Sequence, residues 1–254
     1  MFTSSTKGAQ FFTIIFMIGT IFGLTFYNLT LNNFLLVLGG YFLYGCLGIV
    51  VTFHRLLTHQ GFTTSQFISR LFSLLGCFGG TGSPLAWVAI HINHHLKSDK
   101  PGDPHSPMHK GLKIFMLNYE QEIVSTTKWR MRNIITNPYY QFLHRYYFLL
   151  LISWSMLLFG IGGAELMIFL HWIPALLTIV MSNVVNYVGH RPQGLGAYRR
   201  YNLSDQSTNN WLWAVPSWGE SWHNTHHRFP KKYNLSERWW EIDISGLIIK
   251  LIKK

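Results

Sequence analysis

The chain has 254 residues, of which 48% are hydrophobic, 16% aromatic and only 12% charged, whereas soluble domains carry a charged fraction of ~25%. This composition excludes a disordered chain, a coiled coil and most soluble domains. The 21 Lys and Arg residues outnumber the 10 Asp and Glu residues and give a net charge of +11, yet nothing is charged between Lys7 and Arg55 and only Glu165 is charged between Arg145 and Arg191. Such neutral stretches argue against a nucleic-acid partner. They favour a membrane protein whose basic residues face lipid headgroups on the cytoplasmic side.

Two pairs of apolar stretches predict membrane spans. Each stretch approaches the ~20 residues that a helix needs to cross a bilayer. The short, uncharged link 28–33 predicts a hairpin, and Gly160, Gly162 and Gly163 predict a second one, in which Pro174 is expected to kink the last helix. The predicted spans are at about 11–27, 34–53, 146–159 and 166–188.

The polar remainder of the chain is predicted to form one cytoplasmic cap, made of residues 54–145 and 189–254. Residues 67–90 are apolar but interrupted by Gly and Pro, which favours a re-entrant or interfacial pair of short helices over a span. Neither hairpin tip contains Lys or Arg, so the positive-inside rule places both termini in the cytoplasm. The predicted fold is a single domain over 1–254. It is an all-α integral membrane protein with four spans in two hairpins under a helical cap that holds a histidine-rich dimetal site.

The 13 histidines outnumber the acidic residues, and eight of them are clustered. The pattern His-x-x-His-His occurs twice, and on an α-helix its i, i+3, i+4 spacing confines three imidazoles to about a 100° arc of one face. A further pair, spaced by five, ends the second predicted span. Because that spacing is about 140° on an α-helix, we expect its second member to reach the site from a bent or unwound continuation. The clustered residues are His54 and His59, then His91, His94 and His95, then His223, His226 and His227.

A ninth histidine lies at the end of the fourth predicted span. Asn186 and His190 are spaced i, i+4 and therefore lie on one helix face. Beside the eight clustered histidines, we interpret His190 as a further ligand and Asn186 as an amide that acts on the metal through a water molecule; the alternative is a polar pair contacting lipid headgroups. Glu220 and His223 match the Glu-x-x-His motif of soluble di-iron bundles, but those bundles need two copies, and this chain has one.

Neutral imidazoles with few carboxylates suit two divalent metals, and iron is the redox-active occupant that this ligand set favours. Zinc would bind the same ligands but could not activate O2. Two cysteines, Cys46 and Cys77, are too few for a thiolate site of zinc-finger type. At a membrane surface, the predicted substrate is a lipid chain. A membrane metal carrier is the alternative of a different class. It would need ionisable residues inside the spans, and the first hairpin has none.

At these motifs the chain strongly resembles the membrane-bound fatty acid desaturases, specifically the Δ9 (stearoyl-type) branch. The matching segments are TFHRLLTHQGF, WVAIHINHHLKSDKPGDPHSP, NYVGHRP and WGESWHNTHHRFP, and their order and spacing agree from about residue 35 to 230. The resemblance implies four spans under a cytosolic cap, a di-iron centre and O2-dependent insertion of a cis double bond between carbons 9 and 10. It implies as metal ligands the nine histidines named above, with Asn186 acting through water.

Departures from the family pattern bear on the substrate carrier. Ile92 and Ser221 stand where many relatives have Arg and Gly, and Ala89 and Ile90 replace a charged pair of the acyl-CoA-using animal enzymes. The bacterial and plastid acyl-lipid relatives therefore fit better, although an acyl thioester remains the alternative. Those relatives imply ferredoxin as electron donor, with a cytochrome b5-like donor as the alternative, and the basic cap suits an acidic donor. Hydroxylation is the rival reaction within the superfamily, and spacing alone does not separate the two.

A dry slot for the methyl end of the acyl chain is expected among the spans. If the second span is α-helical, Leu47 lies seven residues before His54 and within about 20° of the same face. We therefore predict that Leu47 lines the floor of the slot, with Val50 one turn nearer the metals and Leu43 one turn deeper. Trp87 and Trp222 are predicted to wall the bend of the substrate, the alternative being interface anchoring.

Overall fold

The computed structural model describes residues 6–116 and 125–254, which fold predominantly into helices. The first half contains α1 (Thr6–Phe26), α2 (Leu31–Tyr41), a π-helical segment (Phe42–Thr58), α3 (Gln66–Phe78), α4 (Pro84–Lys97), α5 (Pro107–Lys110) and a 3₁₀ segment (Gly111–Met116). The second half contains α6 (Ser125–Arg130), α7 (Arg132–Ile135), α8 (Pro138–Arg145), α9 (Tyr147–Met167), a π-helical turn (Ile168–Trp172), α10 (Ile173–Gly189), β1 (Ala197–Tyr198), β2 (Asn209–Asn210), α11 (His223–Arg228) and α12 (Ile244–Ile252).

Three helical stretches of the described residues are long and apolar enough to cross a membrane: Lys7–Phe26, Leu31–Thr58 and Tyr147–Gly189. The second begins at Thr30, whose hydroxyl accepts a hydrogen bond from the Asn33 N–H, as a helix N-cap does. It continues without a break from α2 into the π-helical segment, so one 28-residue helix leads to the first histidine pair.

The third stretch, of 43 residues, folds back on itself. Gly162 and Gly163 leave helical geometry, and Gly163 has φ of +68°, which glycine adopts without a steric penalty. Beyond the turn, His171 Nδ1 lies 3.0 Å from the Ser155 hydroxyl, although sixteen residues of straight helix would separate them by about 24 Å. The chain therefore reverses at the glycines that the sequence indicated.

A π-helical turn precedes Pro174, where the sequence predicts a kink. Proline has no N–H to bond the carbonyl four residues back, which is that of Leu170. The Tyr44 hydroxyl donates to this carbonyl at 3.0 Å. The second apolar stretch thereby supplies the hydrogen bond that Pro174 cannot, and it is tied to the returning arm of the hairpin.

Residues 67–90 contain two short helices, as the sequence predicted. Ser65 and Ser83 cap α3 and α4 by accepting from backbone N–H groups in the first turn. The helix α3 packs directly on the π-helical segment, because a Cβ added at Gly48 would lie only 2.4 Å from the Gly76 Cα. The helix α4 then carries the first histidine triplet under the loops of the cap.

The polar segment around β1 and β2, which the sequence assigned to a helical cap, is less regular than that prediction. Between His190 and His223 the chain forms turns and one antiparallel two-stranded sheet, in which Ala197 pairs with Asn210 and Tyr198 with Asn209. These loops hold side chains around α11. The Asn209 carboxamide does so by bonding both the N–H and the hydroxyl of Thr225.

Candidate metal centre

Nine histidines converge in two adjoining groups at the cap end of the apolar helices. Within each group the ligand-capable nitrogens all lie within 4.8 Å of one another. The five-histidine site consists of His54, His59, His91, His95 and His226, and the four-histidine site consists of His94, His190, His223 and His227.

The five-histidine site has the spacing of ligands around a common centre. Its neighbouring Nε2 atoms are 3.1 Å apart for His54 and His226, 3.1 Å for His59 and His91, 3.1 Å for His91 and His95, and 2.9 Å for His95 and His226. Two nitrogens that each lie about 2.1 Å from one metal, at a right angle, are separated by roughly 3 Å. The five Nε2 atoms therefore fit the coordination sphere of one metal ion.

The four-histidine site fits a second ion by the same criterion. The Nε2 atom of His223 lies 3.1 Å from that of His190 and 3.0 Å from that of His227. Among the described residues, the buried Nε2 of His94 has no hydrogen-bond partner, while its Nδ1 is occupied by Asp103. A buried nitrogen without a partner is costly unless an ion or water completes it, so this atom suits a metal ligand.

The π-helical geometry explains how His54 and His59 reach one site. The backbone N–H of His59 donates to the His54 carbonyl at 3.1 Å, an i→i+5 bond. Each turn therefore holds more residues than the 3.6 of an α-helix, and residues five apart stack on one face. No bent or unwound continuation is needed, which corrects the expectation drawn from α-helical geometry.

Carboxylates behind the histidines were missed in the sequence. Asp103 accepts from His94 Nδ1 at 2.8 Å, Asp99 from His190 at 2.7 Å and Asp205 from His227 at 2.9 Å. Glu220 is in contact with His54 Nδ1. Such outer partners fix the tautomer of a metal-binding imidazole, direct its Nε2 at the metal and raise its basicity. The only signal for them in the sequence was that two of these acids follow the first triplet within nine residues.

The electrostatics of the site favour the neutral form of six of its imidazoles, which is the form that binds a metal. Burial, reinforced by the neighbouring histidines, lowers the pKa of His59, His91, His95, His223 and His226 well below the usual range. Burial lowers the pKa of His227 to about 4, although Asp205 opposes the shift.

The acidic partners are held ionised. Burial alone would raise the pKa of Glu220, but His54 and Arg55 bring it below its ordinary value. The same balance, with histidine as the opposing partner, lowers the pKa of Asp103 and Asp205. Each of these acids therefore presents a negative charge to its imidazole.

Arg55 links this centre to the end of the chain. Its Nε and Nη2 donate to Glu220 at 3.0 and 2.7 Å, and its Nη1 donates to both oxygens of Asp243 at 3.0 and 2.8 Å. Asp243 also caps α12 by accepting from the Gly246 N–H. One buried guanidinium thus joins the first histidine helix to the C-terminal helix.

A cavity of mostly apolar lining opens on both sites. From the second apolar stretch it is lined by Tyr41, Gly45, Ile49, Val50 and His54, at the spacing of four to five that i→i+5 bonding gives. Leu43 and Leu47 are not among its lining residues. Of the three predicted slot residues, Val50 lines this cavity and Leu43 and Leu47 do not, because i→i+5 bonding turns a different face toward it than α-helical periodicity does. Which residues bound the acyl chain stays a prediction.

The other predicted cavity residues divide in the same way. Trp87 lines the cavity and stacks on His91, with ring centroids 4.9 Å apart, and Asn186 lines it together with His223. Trp222 does not line it. It is buried in the cap against Tyr198 and Trp240, and its Nε1 donates to the Ile242 carbonyl, so the wall role is corrected to core packing. His105 also lines the cavity.

A helical scaffold with long apolar helices and two adjoining all-histidine sites that open on an apolar cavity defines the class of this protein. The chain belongs to the fatty acid desaturase family, whose model, described as "Fatty acid desaturase", matches residues 32–243. It is an oxidoreductase that desaturates fatty acids.

Individual relatives agree with this assignment. The chain is 32% identical to an sn-1 stearoyl-lipid 9-desaturase of Anabaena variabilis, over 84% of this chain and 78% of the relative. It is 31% identical to an sn-2 palmitoyl-lipid 9-desaturase of Nostoc sp. (strain 36), over 84% and 75%. It is 34% identical to an acyl-CoA C20 Delta5-desaturase of Anemone leveillei, over 84% and 68%.

Proposed function

We propose that the protein is an O2-dependent di-iron desaturase that introduces a cis double bond between carbons 9 and 10 of a saturated acyl chain in a membrane lipid. One observation carries the proposal: two all-histidine sites open together on a cavity lined mostly by apolar side chains. The names of the two cyanobacterial relatives support position 9 and a lipid carrier.

The nine histidines of the two sites would hold two iron ions, and Asn186, which lines the cavity beside His223, would act through a water molecule. Iron bound there would supply the activation of O2 for removal of two hydrogens from adjacent carbons. The protein's own part is to keep imidazoles neutral by burial and to orient them through the aspartates and Glu220 behind them. No separate acid, base or nucleophile from the chain is required.

The cavity would bind and orient the acyl chain. We take the end of the cavity lined by Tyr41 and Gly45 as its deep end, and Ile49 and Val50 lie between this end and His54 along the helix. Trp87 also lines the cavity and stacks on His91. Apolar walls keep water away from the reacting carbons, which strengthens the electrostatic interactions within the site. The bend of the acyl chain would lie at Trp87, which stacks on the imidazole of His91.

For the carrier, we favour an acyl lipid over acyl-CoA. Ala89 is buried and Ile90 lines the cavity, so neither presents a cation for a CoA phosphate at this position. The acyl-CoA relative keeps a thioester as the alternative. The net charge of +11 supports an acidic electron donor, for which we propose ferredoxin over a cytochrome b5-like protein.

The proposed arrangement in the cell is a single domain with four membrane spans and both termini in the cytoplasm. The reversal at Gly163 divides the 43-residue stretch into two arms, which supports a second membrane hairpin. The absence of Lys and Arg from the two hairpin tips supports a cytoplasmic cap.

The proposed reaction is tested by expressing the chain in a desaturase-deficient host and locating double bonds in the fatty acids of each lipid class. We expect cis-9 monoenes attached to glycerolipids. Oxygenated acyl chains would instead identify a hydroxylase, and monoenes that appear first in the acyl-CoA pool would identify a thioester substrate. A double bond at carbon 5 would contradict the position.

Chain length is expected to depend on Gly45. A Cβ at this position would lie 2.9 Å from the Tyr41 ring and 3.2 Å from Trp218 Nε1, so Gly45→Leu must project into the deep end of the cavity. Gly45 precedes His54 by nine residues, about two turns of the π-helical segment, and this separation would set the room available to the methyl end. We expect the ratio of sixteen- to eighteen-carbon monoenes to rise several-fold, measured by gas chromatography.

Gly39→Leu is the matched control, because a Cβ at Gly39 meets nothing within 4 Å. This variant should leave the product ratio unchanged, as should Leu47→Trp. An active Gly45→Leu enzyme with the parental ratio would show that Gly45 does not bound the chain.

A further inference from the structure

The two metal sites differ in how many of their histidines are backed by a carboxylate. In the four-histidine site three of four imidazoles donate from Nδ1 to an aspartate, at 2.7 to 2.9 Å. In the five-histidine site, counted over the part of the chain that the structure describes, one imidazole contacts a carboxylate: that of His54 contacts Glu220. The extra imidazole of the larger site is a neutral donor, so it does not compensate for this difference in charge.

The two sites differ further in the groups that pair with their outer carboxylates. Glu220 is paired with the guanidinium of Arg55, which donates to it twice, so its negative charge is cancelled within one contact. Asp99 receives its further hydrogen bonds from the Ser106 hydroxyl and the Gln206 N–H, which carry no charge.

The other two aspartates are held in a similar way. Asp205 accepts from the Ser207 N–H and Asp103 from the N–H groups of Asp99 and His105. The charge of Lys110 also reaches Asp103. Arg199 donates to the backbone carbonyl of Asp205 and not to its carboxylate. In the described side-chain hydrogen bonds, the carboxylates of Asp99 and Asp205 therefore have no Lys or Arg partner, and each is directed through an imidazole at the same site.

The backbone conformation of Asp99 allows its carboxylate to contact His190. Asp99 is one of the few non-glycine residues with a left-handed backbone, at φ of +58°, a conformation that aspartate tolerates better than most residues. In this conformation its N–H reaches Asp103 and its carboxylate reaches His190. One short loop after α4 thereby orients a ligand on α4 and a ligand beyond α10.

We propose that the two sites are inequivalent in affinity, and that the four-histidine site holds its iron more tightly than the five-histidine site. The inference deepens the proposed function, because it takes iron as the metal. An outer carboxylate raises the basicity of its imidazole, and removing one costs about 10–100-fold in metal affinity. A site with three such partners should therefore be filled first and emptied last.

The test uses the full-length protein in detergent, loaded anaerobically with two equivalents of Fe(II) and mixed with excess ferrozine, whose colour reports iron release. We expect two phases of one iron each, separated by at least tenfold in rate. Two variants assign them, each leaving two imidazoles in one site. His190→Ala/His223→Ala should retain only the fast iron, and His59→Ala/His91→Ala/His95→Ala only the slow one.

The carboxylates are then tested singly. Asp103→Asn and Asp205→Asn should each accelerate the slow phase by about 10–100-fold and leave the fast phase as it was. Asp205→Asn guards against misfolding of the more buried Asp103 variant. The matched control is Glu237→Gln, which removes an acid that pairs with Arg200 and Lys232 and has no histidine among its described ion-pair partners.

Two irons released at one rate, or a fast phase that belongs to the four-histidine site, would overturn the inference while leaving the desaturase function intact. Asparagine variants without effect on the slow phase would overturn the role of the aspartates. Loading with fewer than two irons would instead contradict the dimetal function itself.

Discussion

Replacing His226 by alanine is expected to reduce desaturation by more than 100-fold, because loss of an outer partner alone costs up to about that factor in metal affinity or activity. The His226 Nε2 atom lies 3.1 Å from that of His54 and 2.9 Å from that of His95, so it is central to the five-histidine site. Within residues 6–116 and 125–254, the acid that contacts this site is Glu220, which is already engaged with His54 and Arg55 and is not free to replace it. Monoene content per unit of membrane-inserted protein measures the effect.

His109→Ala is the control for this variant. His109 is exposed, and its contact is with the backbone carbonyl of Asp99, so activity should stay close to that of the parent. Iron content should fall from two to about one per chain in the His226 variant and stay at two in the control. Substantial turnover by the His226→Ala enzyme would remove His226 from the ligand set.

The histidine triplets could be predicted from sequence because α4 and α11 are regular α-helices, and a regular spacing gives a reliable face. Their division between the sites could not. Each triplet contributes to both sites: His91 and His95 belong to one site and His94 to the other, while His226 is separated from His223 and His227 in the same way. Side chains that share a 100° arc of a helix can still point to opposite sides of the middle of that arc. Which side meets which metal depends on how the two helices face each other across the cap.

The same limit applies to the second apolar stretch, where local backbone geometry was decisive. Apolar composition predicts a span there but does not distinguish i→i+4 from i→i+5 bonding. The Thr58 hydroxyl shows the difference by donating to the carbonyl five residues back, that of Phe53, at 2.7 Å. With this periodicity His59 joins His54, and Gly45 replaces Leu47 in the cavity. The assumption of 3.6 residues per turn therefore misplaced both His59 relative to His54 and the residues of this stretch that line the cavity.

Removing the Arg55 guanidinium is expected to have the largest effect on stability. Its side chain is 2% exposed and pairs with Glu220 and Asp243, which are 11% and 0% exposed. Breaking a buried ion pair by removing one partner typically costs about 3–5 kcal/mol, because the other charge stays buried without compensation. We expect Arg55→Leu to unfold at a clearly lower denaturant concentration than the parent protein in the same detergent.

Lys232→Leu is the contrasting control. The Lys232 side chain is 35% exposed in its pair with Glu237, and pairs of this kind contribute about 0–1 kcal/mol. Equal effects of the two substitutions would show that Arg55 is not the connection that stabilises the cap.

Hydrogen exchange distinguishes a loss of global stability from a loss at the Arg55 contacts. Asp243 caps α12 and also accepts from the Leu235 N–H, so Arg55→Leu should accelerate exchange in residues 235–252 before it affects α3.

Asp243→Asn should accelerate exchange in the same segment, and adding it to Arg55→Leu should cost less than the sum of the two effects, because both remove one interaction. Since Glu220 bonds Arg55 on one side and contacts His54 on the other, the Arg55 variant, in which the Glu220 charge is no longer cancelled, should also release iron from the five-histidine site more slowly. Asp243→Asn should not, because Asp243 contacts Arg55 and not Glu220 in the described hydrogen bonds. The difference between these variants in iron release therefore measures how much of the Arg55 effect reaches the metal through Glu220.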